Sequence, residues 1–145
     1  MTTAQEAFTS MMTEQMGPGL RALGFKGSGQ VFTLPDDDHV AQIGFQKSTY
    51  SDSTAIRFTI NVSVISLEAW AESRHRKPHL PAKPSPSVFY GSPFWQKRVG
   101  KLLPDQEDIW WWVHAGQDAT SVASEVLTIV RDYVLPRMRE QLGRA

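Results

Sequence analysis

The clearest pattern in the chain is an alternation of apolar and polar residues near its middle. In the segment Ile56–Val64 every second residue is Ile, Phe or Val, and the residues between them are Arg, Thr, Asn and Ser. This period of two predicts a strand with one buried and one solvated face. Val40–Ser48 alternates less regularly, and the polar connection Thr49–Ala55 joins it to the second segment. We predict that the two segments pair as antiparallel strands.

Both ends of the chain carry apolar residues at helical spacing, and each predicted helix contains a proline. Pro18 lies within a Gly-Pro-Gly sequence and Pro136 lies near the end of the last helix. Because proline has no amide proton, we expect a kink or break at Pro18, or alternatively a second short helical turn that starts there, and a kink or restart near Pro136. The apolar stripes of these helices are predicted to be core rather than a cofactor pocket, and to cover the apolar face of the sheet.

The remaining periodic segments complete a predicted architecture. Gln30–Leu34 reads as a short strand, and Leu67–His75 as a short helix. We predict two further strands, Trp95–Leu103 and Ile109–Val113, which an acidic turn joins. Since helical patterns stand at the ends and strand patterns between them, we predict an α+β fold. Residues 1–145 are expected to form a single domain in which N-terminal and C-terminal helices cover an antiparallel sheet of about five strands.

A proline-rich loop is predicted at about residues 77–93. Five of the nine prolines fall between Pro78 and Pro93, so this backbone has few donors and favours extended conformations. Two overlapping PxxP spacings leave open a role as a docking peptide for an aromatic groove. We favour an ordinary surface segment, although long loops in compact domains are often functional.

Composition and charge narrow the classes of function. Fifteen Lys and Arg residues balance fifteen Asp and Glu residues, and the pI is near 6.9, which argues against a nucleic-acid partner. No apolar run of about 18 residues and no signal sequence is present, so we expect a cytoplasmic protein without membrane contact. The absence of cysteine excludes disulfides, thiolate metal sites and a cysteine nucleophile.

Three local motifs invite a ligand-binding interpretation. Lys26–Gly29 resembles a phosphate loop, but such loops follow a strand and precede a helix, and here that order is reversed. Asp36–Asp38 before His39 suggests a cation site, but successive residues do not point at one ion and the spacing of a calcium loop is absent. The pair His75 and His79 lacks a third ligand. We therefore predict no metal, no cofactor and ordinary turns.

The polar side of the central strands is the candidate binding site. It offers many hydrogen-bond donors beside an aromatic residue, which is typical of interfaces, but it has no general base or nucleophile. In the last strand Trp111 faces one side and Trp110 and Trp112 the other, so at least one indole is expected on the less buried side unless helices or the loop cover it. The predicted ligand- or partner-binding residues are Gln46, Lys47, Arg57, Asn61, Arg98 and Trp111.

Short stretches along the chain also carry a family resemblance. They are Leu23-Gly24-Phe25-Lys26, Phe32, Phe45-Gln46-Lys47-Ser48, Phe58-Thr59-Ile60-Asn61-Val62, Arg98-Val99-Gly100, Trp111-Trp112 and Leu135-Pro136. Together they resemble a bacterial domain-of-unknown-function family, number 4304, over nearly the whole chain except roughly Leu67 to Phe94. The resemblance implies no established reaction. Small intracellular bacterial α+β domains include immunity proteins that neutralise toxins, which is an analogy of fold class only.

Two functions follow as hypotheses. The first is a non-catalytic binding protein, immunity-like or accessory, whose partner is a protein or a small polar ligand at the polar face. The second is a small enzyme that acts on a polar or anionic metabolite, with Arg57 and Lys47 as substrate-binding groups. A third interpretation assigns the polar residues only to the solvated side of the sheet. Of the two functions, the first is favoured because no catalytic residue can be named.

Overall fold

The computed structural model describes residues 2–91 and 93–143, and in these it contains a six-stranded antiparallel sheet. The predicted α+β fold, with helices from both ends of the chain, is confirmed. The strands are β1 (Lys26–Ser28), β2 (Val31–Leu34), β3 (His39–Lys47), β4 (Ala55–Ser66), β5 (Trp95–Arg98) and β6 (Trp111–His114).

The long strand β4 organises the sheet. One of its edges pairs with β3 over nine residue pairs, from His39 opposite Ser66 to Lys47 opposite Phe58. On its other edge, β5 pairs with Asn61–Val64 and β6 with Ala55–Phe58. The two last strands therefore lie end to end along β4, and the acidic connection between them does not form a hairpin. The strand predicted to reach Leu103 also ends earlier, because the chain turns into a 3₁₀ helix at Val99–Leu102.

The terminal helices remain helical through their prolines. Before each proline the chain widens into a five-residue π-helical turn, which links α1 (Ala4–Met11) to α2 (Gly17–Ala22) and α4 (Thr120–Ile129) to α5 (Leu135–Gln141). Each proline falls in the first turn of the restarted helix, where its missing amide proton is not needed. The restart expected near Pro136 is confirmed. At Pro18 the alternative of a second helical turn is confirmed, and the expected break is wrong because the backbone stays helical through Met16 and Gly17.

The main core lies between these helices and one face of the sheet. Every second side chain of β4 from Ile56 to Val64 points into it and is buried, as the alternation predicts. Phe58 lies at its centre, because its ring contacts those of Phe8, Phe45 and Trp111 at centroid distances of 5.3, 6.0 and 5.6 Å. Burial of these aromatic rings supplies much of the apolar area that stabilises the domain.

The opposite face of the sheet, called the far face below, is half covered. Helix α3 (Leu67–Arg76) and the proline-rich loop form a second, smaller apolar cluster there. The Trp70 ring contacts the rings of Tyr90 and Phe94 at 4.8 and 5.8 Å. Pro86 lies so close above Gly44 that a β-carbon on Gly44 would stand 2.8 Å from its Cγ. The loop is therefore a packed layer rather than a segment that merely crosses the surface.

Candidate functional site

Four of the six predicted site residues lie on the far face. Gln46 stands opposite Thr59 in the β3–β4 ladder, and Arg98 stands opposite Asn61 in the β4–β5 ladder. Arg57 points to the same side, because it alternates with the buried Ile56 and Phe58. The side chains of Gln46 and Asn61 are joined directly, since the Asn61 amide donates to Gln46 Oε1 at 2.7 Å.

Lys47 and Trp111 lie on the other side of the sheet, so placing them on the polar face was wrong. Lys47 is the ladder partner of Phe58, and its ammonium lies over the Phe8 ring, 5.5 Å from the centroid. Trp111 is also opposite Phe58, stacks on it, and is buried. Its indole N–H donates to Glu125 Oε2 at 3.2 Å, so the polar edge of the ring meets the helix layer.

The open half of the far face carries a cluster of arginine, tryptophan and aspartate that we call the Arg–Trp patch: Arg57, Arg98, Asp108, Trp110 and Trp112. Both guanidinium groups lie over the Trp110 ring, with Cζ atoms 4.3 Å (Arg57) and 5.2 Å (Arg98) from its centroid. Asp108 Oδ2 accepts hydrogen bonds from Arg98 Nη1 at 3.3 Å and from Trp110 Nε1 at 2.9 Å. These contacts orient the two cations and the indole against one another.

Trp112 extends the patch towards the end of β6. It stands opposite Arg57 in the ladder, so the two side chains are neighbours on the far face. The indole is 44% exposed and lies nearly parallel to the His114 ring, at an interplanar angle of 11° and a centroid distance of 6.1 Å. An exposed, flat pair of rings beside two arginines is a surface suited to contact with another molecule.

Buried contacts hold the segment that supplies Asp108 and Trp110. The hydroxyl of the buried Thr59 donates to the carbonyl of Ile109 at 2.7 Å, which fixes the chain just before Trp110. Gly100 lies against the backbone of Glu107 and Asp108 with no room for a β-carbon. The patch is thus built on a β-strand and a tightly packed connection, so its geometry is set before any ligand arrives.

A cleft of about 230 Å³ lies between the far face and the proline-rich loop. Its polar wall includes Gln46, Asn61, Gln96, Lys97 and Arg98, and its apolar wall comes from the loop segment 86–89. Gln96 ties the loop to β5, because its amide donates to the Val88 carbonyl at 2.6 Å and accepts from the Tyr90 N–H at 2.8 Å. The cleft shares Arg98 with the Arg–Trp patch, so a ligand could contact both.

Charge is segregated in this neutral protein. Between Glu72 and Asp105 the chain has seven Lys and Arg residues and no Asp or Glu. The rest of the chain has the other eight Lys and Arg residues and all fifteen acidic residues. The seven basic residues between Glu72 and Asp105 lie at the end of α3, in the proline-rich loop, in β5 and in the 3₁₀ helix. They are Arg74, Arg76, Lys77, Lys83, Lys97, Arg98 and Lys101. A segment with this excess of positive charge attracts anionic partners even when the net charge is zero.

The Arg–Trp patch consists of two cations, two indoles and one carboxylate that is already hydrogen-bonded. Within residues 2–91 and 93–143 no group of three His, Asp or Glu side chains is placed to hold a metal ion. The closest ionisable pair that involves histidine is His39 with Asp36, at 2.8 Å, beside the turn that precedes β3. What the patch can do chemically is to donate charge-assisted hydrogen bonds and to stack.

Sequence reasoning missed Trp110, Trp112 and Asp108 as site residues, although a usable signal was present. Val113 is apolar and buried, and alternation places Trp111 on its side of the strand and Trp110 and Trp112 on the other. No local sequence pattern could identify Asp108. It lies in the connection between β5 and β6, and only the tertiary fold places that connection beside Arg98.

The same alternation could have placed Lys47 correctly. Lys47 lies two residues after the buried Phe45, so it faces the same side of β3 as Phe45, and Gln46 faces the other side.

The fold and the patch define a small α+β domain with an open, aromatic and basic sheet face. The sequence matches, over residues 16–140, the family described as domain of unknown function (DUF4304), and the chain belongs to that family. No curated protein and no solved structure matches the chain. Among the described residues, no helix has both the length and the apolar character needed to cross a bilayer.

Proposed function

We propose that this chain is a non-catalytic binding protein of the bacterial cytoplasm, and that a protein partner docks on the Arg–Trp patch. The observation that carries the proposal is the stacking of two guanidinium groups on one partly exposed indole, with Asp108 bonded to both the indole and Arg98. Arginine and tryptophan dominate the energetics of protein interfaces, especially where packing orients them in advance.

The chemistry of the partner follows from the charges around the patch. Arg57 has no acidic partner within the described residues, and Arg98 shares its one partner, Asp108, with the Trp110 indole. A partner that presents carboxylates to these cations and an apolar side chain to Trp112 would complement the surface. An acidic toxin neutralised by this protein and an enzyme complex that it accompanies both fit that description.

A second candidate ligand is a small polar molecule in the 230 Å³ cleft. It is supported by the amides of Gln46 and Asn61, which line the cleft beside Lys97 and Arg98. An enzyme that uses Arg57 and Lys47 together has no such support, because the two side chains lie on opposite sides of the sheet. Any substrate-binding role would therefore rest on Arg57 and Arg98.

The experiment is a pull-down from the native cell, with nuclease-treated lysate, of the tagged wild type and two matched double variants. Arg57→Ala/Trp110→Ala removes a cation and an aromatic ring from the patch, whereas Tyr133→Ala/Arg137→Ala removes the same kinds of side chain from the terminal helix layer. A partner retained by the wild type and the second variant but lost by the first supports the proposal. Equal recovery by all three refutes it.

A further inference from the structure

A second cleft, which shares no residue with the Arg–Trp patch, lies where the end of α3 meets the proline-rich loop. We call it the basic cleft. Its volume is about 170 Å³, and its walls include Ser73, Arg76, Lys77, His79, Tyr90 and Phe94. Two cationic residues and one histidine thus line a cavity that also has two aromatic residues in its walls.

The walls of the basic cleft are held in place from behind. Trp70 is buried under Tyr90 and Phe94, at ring distances of 4.8 and 5.8 Å. Its indole N–H donates to the carbonyls of Pro81 and Ala82, each at 3.2 Å. The Tyr90 hydroxyl accepts a hydrogen bond from the Ser85 N–H at 3.0 Å. A cavity fixed in this way does not need to be ordered by its ligand, which lowers the cost of binding.

The cations of the cleft are not neutralised by the protein. Within residues 2–91 and 93–143, neither Arg76, Lys77 nor His79 forms an ion pair, and no acidic residue lines the cleft. Basic residues at a helix end also interact favourably with the helix dipole, which accounts for Arg74, His75 and Arg76 in the last turn of α3. It does not account for His79, which lies beyond the helix and on the wall of the same cavity.

We propose that the basic cleft binds a small aromatic anion: a single ring that carries one carboxylate or phosphate group. Drug-sized ligands occupy pockets of about 300–1,000 Å³, so a cavity of about 170 Å³ suits one ring and its anionic group. The ring would pack against Tyr90 and Phe94, and the anionic oxygens would accept charge-assisted hydrogen bonds from Arg76 and Lys77. This site is independent of the proposed protein partner.

The test is a titration of the purified full chain, followed by amide NMR shifts and by calorimetry, with benzoate, phenyl phosphate and the neutral benzamide. Saturable binding of either anion is expected, with shifts centred on the lining residues and with benzamide at least about tenfold weaker, the factor that one charge-assisted contact can supply. Comparison of the two anions identifies which anionic group the cleft prefers.

Matched variants separate the cleft from general positive charge. Arg76→Gln/Lys77→Gln should weaken anion binding at least about tenfold. Arg74→Gln/Lys83→Gln removes the same number of charges from neighbouring exposed positions outside the cleft and should leave affinity nearly unchanged. All four side chains are exposed, so the variants are expected to fold. The proposal is overturned if benzamide binds as well as the anions, if both variants lose affinity equally, or if no saturable binding is seen.

Discussion

Trp110 and Trp111 are neighbours in the chain, but their rings lie on opposite sides of the sheet. Trp111 stacks on Phe58 in the core at a centroid distance of 5.6 Å, whereas Trp110 lies beneath the Arg57 guanidinium at 4.3 Å on the far face. One residue type therefore has two roles, because Trp111 is the first residue of β6 and points into the core, whereas Trp110 precedes the strand and lies under a far-face arginine. Trp111 stabilises the fold, and Trp110 builds the surface that we propose to bind a partner.

Substitution of the two tryptophans should separate these roles. Trp111→Ala is expected to lower the free energy of unfolding by about 3–5 kcal/mol, as for other buried aromatic residues. Trp110→Ala should cost about 1–2 kcal/mol, because it removes partly exposed contacts between cations and an indole. Urea denaturation of both variants measures the difference. If Trp110→Ala proves as destabilising as Trp111→Ala, the assignment of the two faces is wrong.

The packing of Pro86 on Gly44 predicts a coupled pair of substitutions. A β-carbon at Gly44 would stand 2.8 Å from Pro86 Cγ, so Gly44→Ala should displace the loop and cost about 1–3 kcal/mol. In a Pro86→Ala background the same change should cost clearly less, since the colliding ring is absent. A double-mutant cycle by chemical denaturation measures this coupling. Equal costs in both backgrounds would show that the loop does not pack on Gly44.

Asp52 offers a prediction about pH. Hydrogen bonds from the Thr54 hydroxyl and from the backbone N–H groups of Thr54 and Ala55 hold the pKa of Asp52 below its ordinary value of 3.8. Because the folded pKa is lowered, its stabilising contribution is present above pH 3.8 and is lost as pH falls through the folded pKa. Asp52→Ala should therefore be less stable than the wild type at pH 7, and the difference should narrow in acid.

The cause of this shift can be tested directly. The Thr54 hydroxyl is the largest contributor, and Thr54→Ala removes it while keeping both backbone donors. An NMR titration of the Asp52 carboxyl should show a higher pKa in Thr54→Ala than in the wild type. An unchanged pKa would mean that the hydroxyl does not support the turn between β3 and β4 in solution.

Much of the fold could be predicted because its signals are local. The strict alternation from Ile56 to Val64 and the helical spacing at both ends each report on a single element and the face that it buries. The end-to-end arrangement of β5 and β6 could not be predicted this way. It depends on β4 being twelve residues long and on the 3₁₀ helix at Val99–Leu102, which ends β5 before β6 begins.

Part of the candidate site could also be predicted from local signals. Gln46, Arg57, Asn61 and Arg98 share a face because strand parity and strand order place them together. The docking of the proline-rich loop over half of that face depends on contacts between residues distant in sequence, such as Gly44 with Pro86. The sequence of the loop has no periodicity that predicts such contacts, so only the structure shows how much of the far face stays open.

The measurement that tests the central claim most directly is the dissociation constant of a purified partner recovered by the pull-down. Arg57→Ala/Trp110→Ala should raise this constant at least about tenfold, since each anchor of this kind can contribute about 2 kcal/mol. Lys47→Ala, which removes a charge from the other side of the sheet, should leave it unchanged. A loss of affinity in Lys47→Ala, with full affinity in the Arg57 and Trp110 double variant, would contradict the account.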